Sequence, residues 1–161
     1  MRFDPYDRSA AVAYAHRWAY GRNPQYYDYE LLGGDCTNFI SQCLYAGAGV
    51  MNFTPDTGWY YISVDNRAAA WTSVKYLYQF LTTNQSVGPY AYEVPAQEAM
   101  PGDVIQLGNS LGEFYHSLMI TNLSPTILIC CHTYDSLDRP LYTYSYQAIR
   151  FLHIAGVRAW Q

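Results

Sequence analysis

The feature that most constrains this chain is a change of hydrophobic period near residue 100. Before it, apolar residues recur at helical spacing; after it, they come in short runs separated by turn residues. Helices followed by closely connected strands point to an α+β fold, with N-terminal helices packed on a mainly antiparallel sheet. The spacing predicts helices over residues 7–20, from Cys36 to the stop at Gly47 and Gly49, and over about 69–81. Strands are expected at 103–107, 115–122, 127–133 and about 151–158. Residues 50–68 and 83–99 show no clear period and read as surface loops. No repeat or linker interrupts the chain, so residues 1–161 are expected to form a single domain.

Composition excludes several classes. The chain is 50% apolar with a net charge of -4 and contains no Lys/Arg run, so neither nucleic acid nor an anionic membrane is an expected partner. Its longest apolar runs, such as residues 127–131, fall far short of the roughly 20 residues a membrane span needs. Met1-Arg2-Phe3-Asp4-Pro5 shows no secretory signal, so the chain as given reads as cytoplasmic. The 18 tyrosines fit either half-buried packing or an aromatic groove for a peptide or sugar polymer. Oligomeric state is not legible.

Cys36 follows Gly33-Gly34-Asp35 and opens an apolar helix. A thiol there faces unpaired backbone N–H groups and the positive end of the helix dipole, which favour thiolate and can hold an oxyanion. The plainer alternative is a small buried apolar residue. A nucleophilic thiol needs a base, and the base a polar group to orient it. His116, near the start of one expected strand, and His132, near the end of the next, become neighbours if the strands pair antiparallel. Asp135 is a rival for the orienting role. His16 and His153 fit no such constellation and read as packing or surface residues. No C-x-x-C or H-E-x-x-H occurs, and Cys130-Cys131 point to opposite faces of a strand, so neither a metal, nor a cofactor, nor a disulfide framework is expected.

Gly34-Asp35-Cys36-Thr37-Asn38-Phe39-Ile40-Ser41-Gln42, then Met100-Pro101-Gly102-Asp103-Val104-Ile105, Tyr115-His116-Ser117 and His132-Thr133-Tyr134-Asp135, together resemble the bacterial "putative amidase domain" family. That family is similar to the papain-like CHAP and NlpC-type cell-wall hydrolases. The resemblance implies a papain-like fold and a cysteine amidase or peptidase, with Cys36 as nucleophile, His116 as general base and acid, and His132 as the third residue. Where papain-like proteases carry an oxyanion-hole Gln, about six residues before the nucleophile, this chain has Glu30, which cannot donate when ionised. The donors are therefore expected from the Cys36 amide and a hydroxyl of Tyr26, Tyr27 or Tyr29. Asp103 belongs to turn chemistry. The implied substrate is a peptide amide, such as a peptidoglycan stem peptide, which would put the protein's site of action outside the membrane. An acyltransferase or transglutaminase with the same residues, and a non-catalytic module keeping the cleft, are the alternatives.

Overall fold

In the computed structural model of residues 1–161, the first helix, α1 (Arg8–Trp18), begins where the sequence supplies a cap: the Asp7 carboxylate accepts from the Ala10 amide at 3.0 Å. The second helix, α2 (Cys36–Ala48), ends on Gly49 in the left-handed conformation, φ 74°. Gly47, expected as a stop, lies inside α2 instead. A Cβ there would sit 2.5 Å from Tyr6 Cε1 and 2.8 Å from the Asp7 carbonyl oxygen. Only glycine lets α2 approach the chain ahead of α1 so closely, and the Asp7 amide donates to Gly47 O at 2.9 Å across the contact.

The helix expected over 69–81 is two helices, α3 (Ala69–Thr72) and α4 (Val74–Thr83). Ser73 separates them: its backbone is extended, ψ 127°, and its hydroxyl accepts from the Tyr76 amide as the cap of α4. Serine competes for nearby backbone groups in this way, an effect that apolar periodicity does not register. Trp71, Leu77 and Leu81 are buried as expected.

One sheet of seven strands carries these helices. In addition to β1 (Arg2–Asp4) it contains β4 (Gly88–Val94), β5 (Val104–Gly108), β6 (Phe114–Asn122), β7 (Leu128–Cys131), β8 (Ser136–Pro140) and β9 (Ala148–Ala159). The order is β1-β9-β5-β6-β7-β8, with β4 also on β9, and every pairing is antiparallel. Residues 83–99 were expected as a loop; they contain β4, whose Gly88-Pro89 start hides the strand pattern. Residues 50–68 likewise hold a separate hairpin of β2 (Tyr61–Ser63) and β3 (Asn66–Arg67).

Alternation along the strands divides the core. Val104, Met119, Cys130 and Leu152 face the helices and pack with Phe39, Ile40, Leu44 and Trp71. Ile105, Leu118, Ile120, Ile129 and Cys131 form a second cluster with Leu141 and Phe151. Cys130 and Cys131 thus part to opposite sides, and all four cysteines are free.

Candidate active site

Gly33 and Gly34, both with positive φ (95° and 103°), turn the chain into α2. Asp35 then anchors the helix start. Its carboxylate accepts from the Tyr29 amide and Asn38 Nδ2, each at 2.8 Å, and lies 2.5 Å from His132 Nδ1; its carbonyl accepts from the Phe39 amide. Cys36, the first helical residue, is therefore held at the dipole's positive end, half-buried. Burial pushes its thiol above the ordinary cysteine value, opposed by hydrogen bonds from the Ser117 amide and the Thr37 hydroxyl.

A buried chain of donors ends at that sulfur. Arg150 donates twice to Gln106 Oε1, at 2.9 and 2.6 Å, which fixes the amide so that Nε2 faces the Val74 carbonyl and Ser117 Oγ. Ser117 Oγ, accepting from Gln106, has its own proton left for Thr37 Oγ1 at 3.1 Å. Thr37 Oγ1 lies 3.7 Å from Cys36 Sγ and can donate to it. Gln106 and Ser117 are direct partners in the β5–β6 register. Either proton order is open to these hydroxyls while the thiol is neutral, but a thiolate only accepts, so the row can supply it a hydrogen and favours the ionised sulfur.

Cys36 and His116 line one cleft of about 390 Å³, together with Leu107, Tyr134, Arg139 and Tyr144 among others. A larger hollow of about 560 Å³, walled by Met51, Phe53 and Trp160, shares none of these residues. His116 is 8% exposed, and its imidazole makes no hydrogen bond within the chain; the ring lies 6.0 Å from that of Tyr144. Burial, then the charge of Arg139, lower its pKa to about 4. At neutral pH the cleft thus holds a protonated thiol and a neutral imidazole with nitrogens free to bond a ligand or take a proton.

The residues expected to complete this pair lie elsewhere. His132 does not meet His116. In the β6–β7 register Cys130 pairs with Met119 and Ile129 with Ile120, so His132 follows the parity of the helix-facing residues and His116 that of the opposite face. His132 stacks on Phe39 with centroids 4.1 Å apart; its Nδ1 faces Asp35, and its Nε2 lies 2.8 Å from the Trp18 carbonyl oxygen and 3.1 Å from Arg22 Nη1. Asp135 instead takes a bidentate bond from Arg22, at 2.9 and 3.1 Å. Arg22 also reaches Glu30 and Asp28, and Thr133 donates to Glu30, which ties the segment before Cys36 to the β7–β8 turn.

Tyr26, Tyr27 and Tyr29 do not line the cleft. Tyr26 stacks on Trp71, Tyr27 packs edge-on against Tyr29, and the Tyr29 hydroxyl donates to the Val64 carbonyl. The tyrosines of the cleft are Tyr115, Tyr134 and Tyr144. Asp103 is buried in a structural role, accepting from Arg8, the Met100 and Ile154 amides, and facing His153 at 2.9 Å. His16, read as isolated, brings its ring within 4.8 Å of donor atoms of Cys130 and Asp138, three groups able to share a metal ion. Sequence reasoning passed over Asp35, although it adjoins Cys36, and Arg139, for which no pattern existed; Gln106 and Ser117 needed the strand register.

A protein of Bacillus subtilis (strain 168) named "Uncharacterized protein YhbB" is 36% identical over 140 residues, covering 83% of this chain and 43% of that protein. The chain thus spans less than half that relative's length. No solved structure matches. The family model described as "Putative amidase domain" matches residues 5–155, and the chain belongs to that family.

Proposed function

We propose that the protein is a cysteine-dependent amide hydrolase with a papain-like arrangement, acting through an acyl-thioenzyme. Family membership suggests amide hydrolysis in general. The observation that carries the mechanism is the shared cleft, where the Cys36 thiol at a helix start faces the same space as an unpartnered, neutral His116. His116 takes the Cys36 proton as the sulfur attacks the carbonyl, and the resulting oxyanion lies near the backbone N–H groups at the start of α2. His116 then protonates the leaving amine. In the second half-reaction it takes a proton from water, which attacks the thioester and frees the acid and the thiol. Because both groups rest neutral, the proton moves during attack and not beforehand.

A peptide amide, with the peptidoglycan stem peptide as its leading case, is the substrate class this reading favours. Incubation with purified peptidoglycan and a panel of small peptide amides, followed by product mass analysis, tests it. Release of new amine and carboxylate ends, lost in Cys36→Ala, is expected. Cleavage that survives in Cys36→Ala refutes the thiol mechanism, and an amine-exchanged product in place of the acid marks an acyltransferase.

A further inference from the structure

The cleft holds a charged group that the reaction above does not use. Arg139, in β8, is the one Arg or Lys lining it, and no Asp or Glu lines it. The guanidinium is fixed: Nε donates to Thr143 Oγ1 at 2.7 Å, Nη2 to the Thr143 carbonyl at 3.2 Å, and its carbon sits 3.7 Å from the Tyr144 ring centroid. None of these contacts neutralises it, and no carboxylate of the chain forms a salt bridge with it. An arginine offers five N–H donors in a planar fork, so the Nη1 edge remains unbonded.

A half-buried cation held rigid without a counter-ion, beside a nucleophile and a base, is the complement of an anion with planar, two-oxygen geometry. We infer that Arg139 is a carboxylate-binding subsite and that the preferred amide carries a free carboxylate close to its scissile bond. The inference rests on the amide-hydrolase reading and adds a substrate class to it. The carboxylate docks on the open edge of the fork while the aromatic walls of Tyr115, Tyr134 and Tyr144 take up the adjoining apolar stem. Docking also changes the base. The charge of Arg139 is one of the two causes that depress His116, so pairing that charge raises the proton affinity of the imidazole when substrate is present. An acidic side chain and a terminal α-carboxylate offer the same chemistry.

Protection of Cys36 from iodoacetamide, followed by peptide mass mapping, reads this subsite without requiring turnover. The probes are N-acetylglutamate α-amide, N-acetylglutamine and N-acetylglutamine amide, which carry a side-chain carboxylate, an α-carboxylate and neither. At least one carboxylate probe is expected to protect at roughly tenfold lower concentration than the neutral one, and the better of the two identifies the source. Arg139→Gln is expected to erase the difference and Arg139→Lys to keep part of it, since a point charge lacks the fork. In the unaltered protein the difference should also shrink with added salt, which keeps the test independent of whether a variant folds. Equal protection by all three probes, no protection by any, or discrimination persisting in folded Arg139→Gln overturns the inference. Selective protection without cleavage of any amide would leave the subsite standing and remove the hydrolase reading.

Discussion

His116 makes the stability of the fold depend on acid in a way that can be calculated. Its folded pKa of about 4 lies below the ordinary 6.5, so the unfolded chain takes up a proton on this ring at a pH where the folded chain does not. Stability on this account is complete above pH 6.5 and is lost as pH falls from there towards 4. At about 1.4 kcal/mol per pH unit the full loss is about 3 kcal/mol, and about 2 kcal/mol of it is expressed by pH 5. The ring is 8% exposed, so solvent does little to reduce the figure. Other groups also titrate, which makes a difference measurement necessary. His116→Phe supplies it: the replacement fills the space, carries no proton, and strands no partner because His116 has no hydrogen bond to lose. Urea unfolding of both proteins at pH 8, 6.5 and 5 should show the original losing about 2 kcal/mol more than the variant between the extremes. Parallel curves would show that the imidazole is protonated in the folded state at pH 5, and the neutral-base argument would fall with it.

Other substitutions probe the helix start. Thr37→Val removes the last donor to Cys36 Sγ at nearly constant shape; the loss of a hydrogen bond worth about 1 kcal/mol should slow iodoacetamide alkylation of Cys36 by about fivefold at fixed pH. Asp35→Ala strands the buried donors that its carboxylate satisfies, the Tyr29 amide and Asn38 Nδ2, and should cost about 2–3 kcal/mol or more in urea unfolding, whereas a surface change such as Glu98→Ala should cost little. His132→Ala should lower kcat/KM less than Cys36→Ala or His116→Ala, because it acts on the nucleophile only through Asp35.

Much of the fold was legible because it rests on period and capping. Asp7, the burial of Phe39 and Leu44 and the β5–β6–β7 meander follow from local pattern. Elements with weak local signals were not legible: β4 opens on Gly-Pro, β1 has three residues, β8 (Ser-Leu-Asp-Arg-Pro) has no apolar alternation, and Ser73 breaks a helix whose apolar stripe continues through it. The same division holds at the site. Cys36 and His116 were singled out as candidates from helix position and strand position, and both line one cleft. The pairing of His116 with His132 rested on proximity of strand ends without face parity, and parity sends the two rings to opposite sides of the sheet. Arg22 and Gln106 act through contacts distant in sequence, such as Arg150 to Gln106, which no spacing rule reaches, and Arg139, though held locally by Thr143 and Tyr144, joins His116 in the cleft only through the fold.

The central claim, that Cys36 attacks an amide-type carbonyl with His116 as its base, is tested most directly by trapping the acyl-enzyme. The protein is mixed with an activated acyl substrate, quenched in acid within the first turnover, and its intact mass and peptides are measured. The account predicts a mass gain equal to the acyl group, mapped to Cys36, absent in Cys36→Ala and forming far more slowly in His116→Phe. Acylation mapped to Cys43, Cys130 or Cys131, or undiminished in His116→Phe, would contradict it.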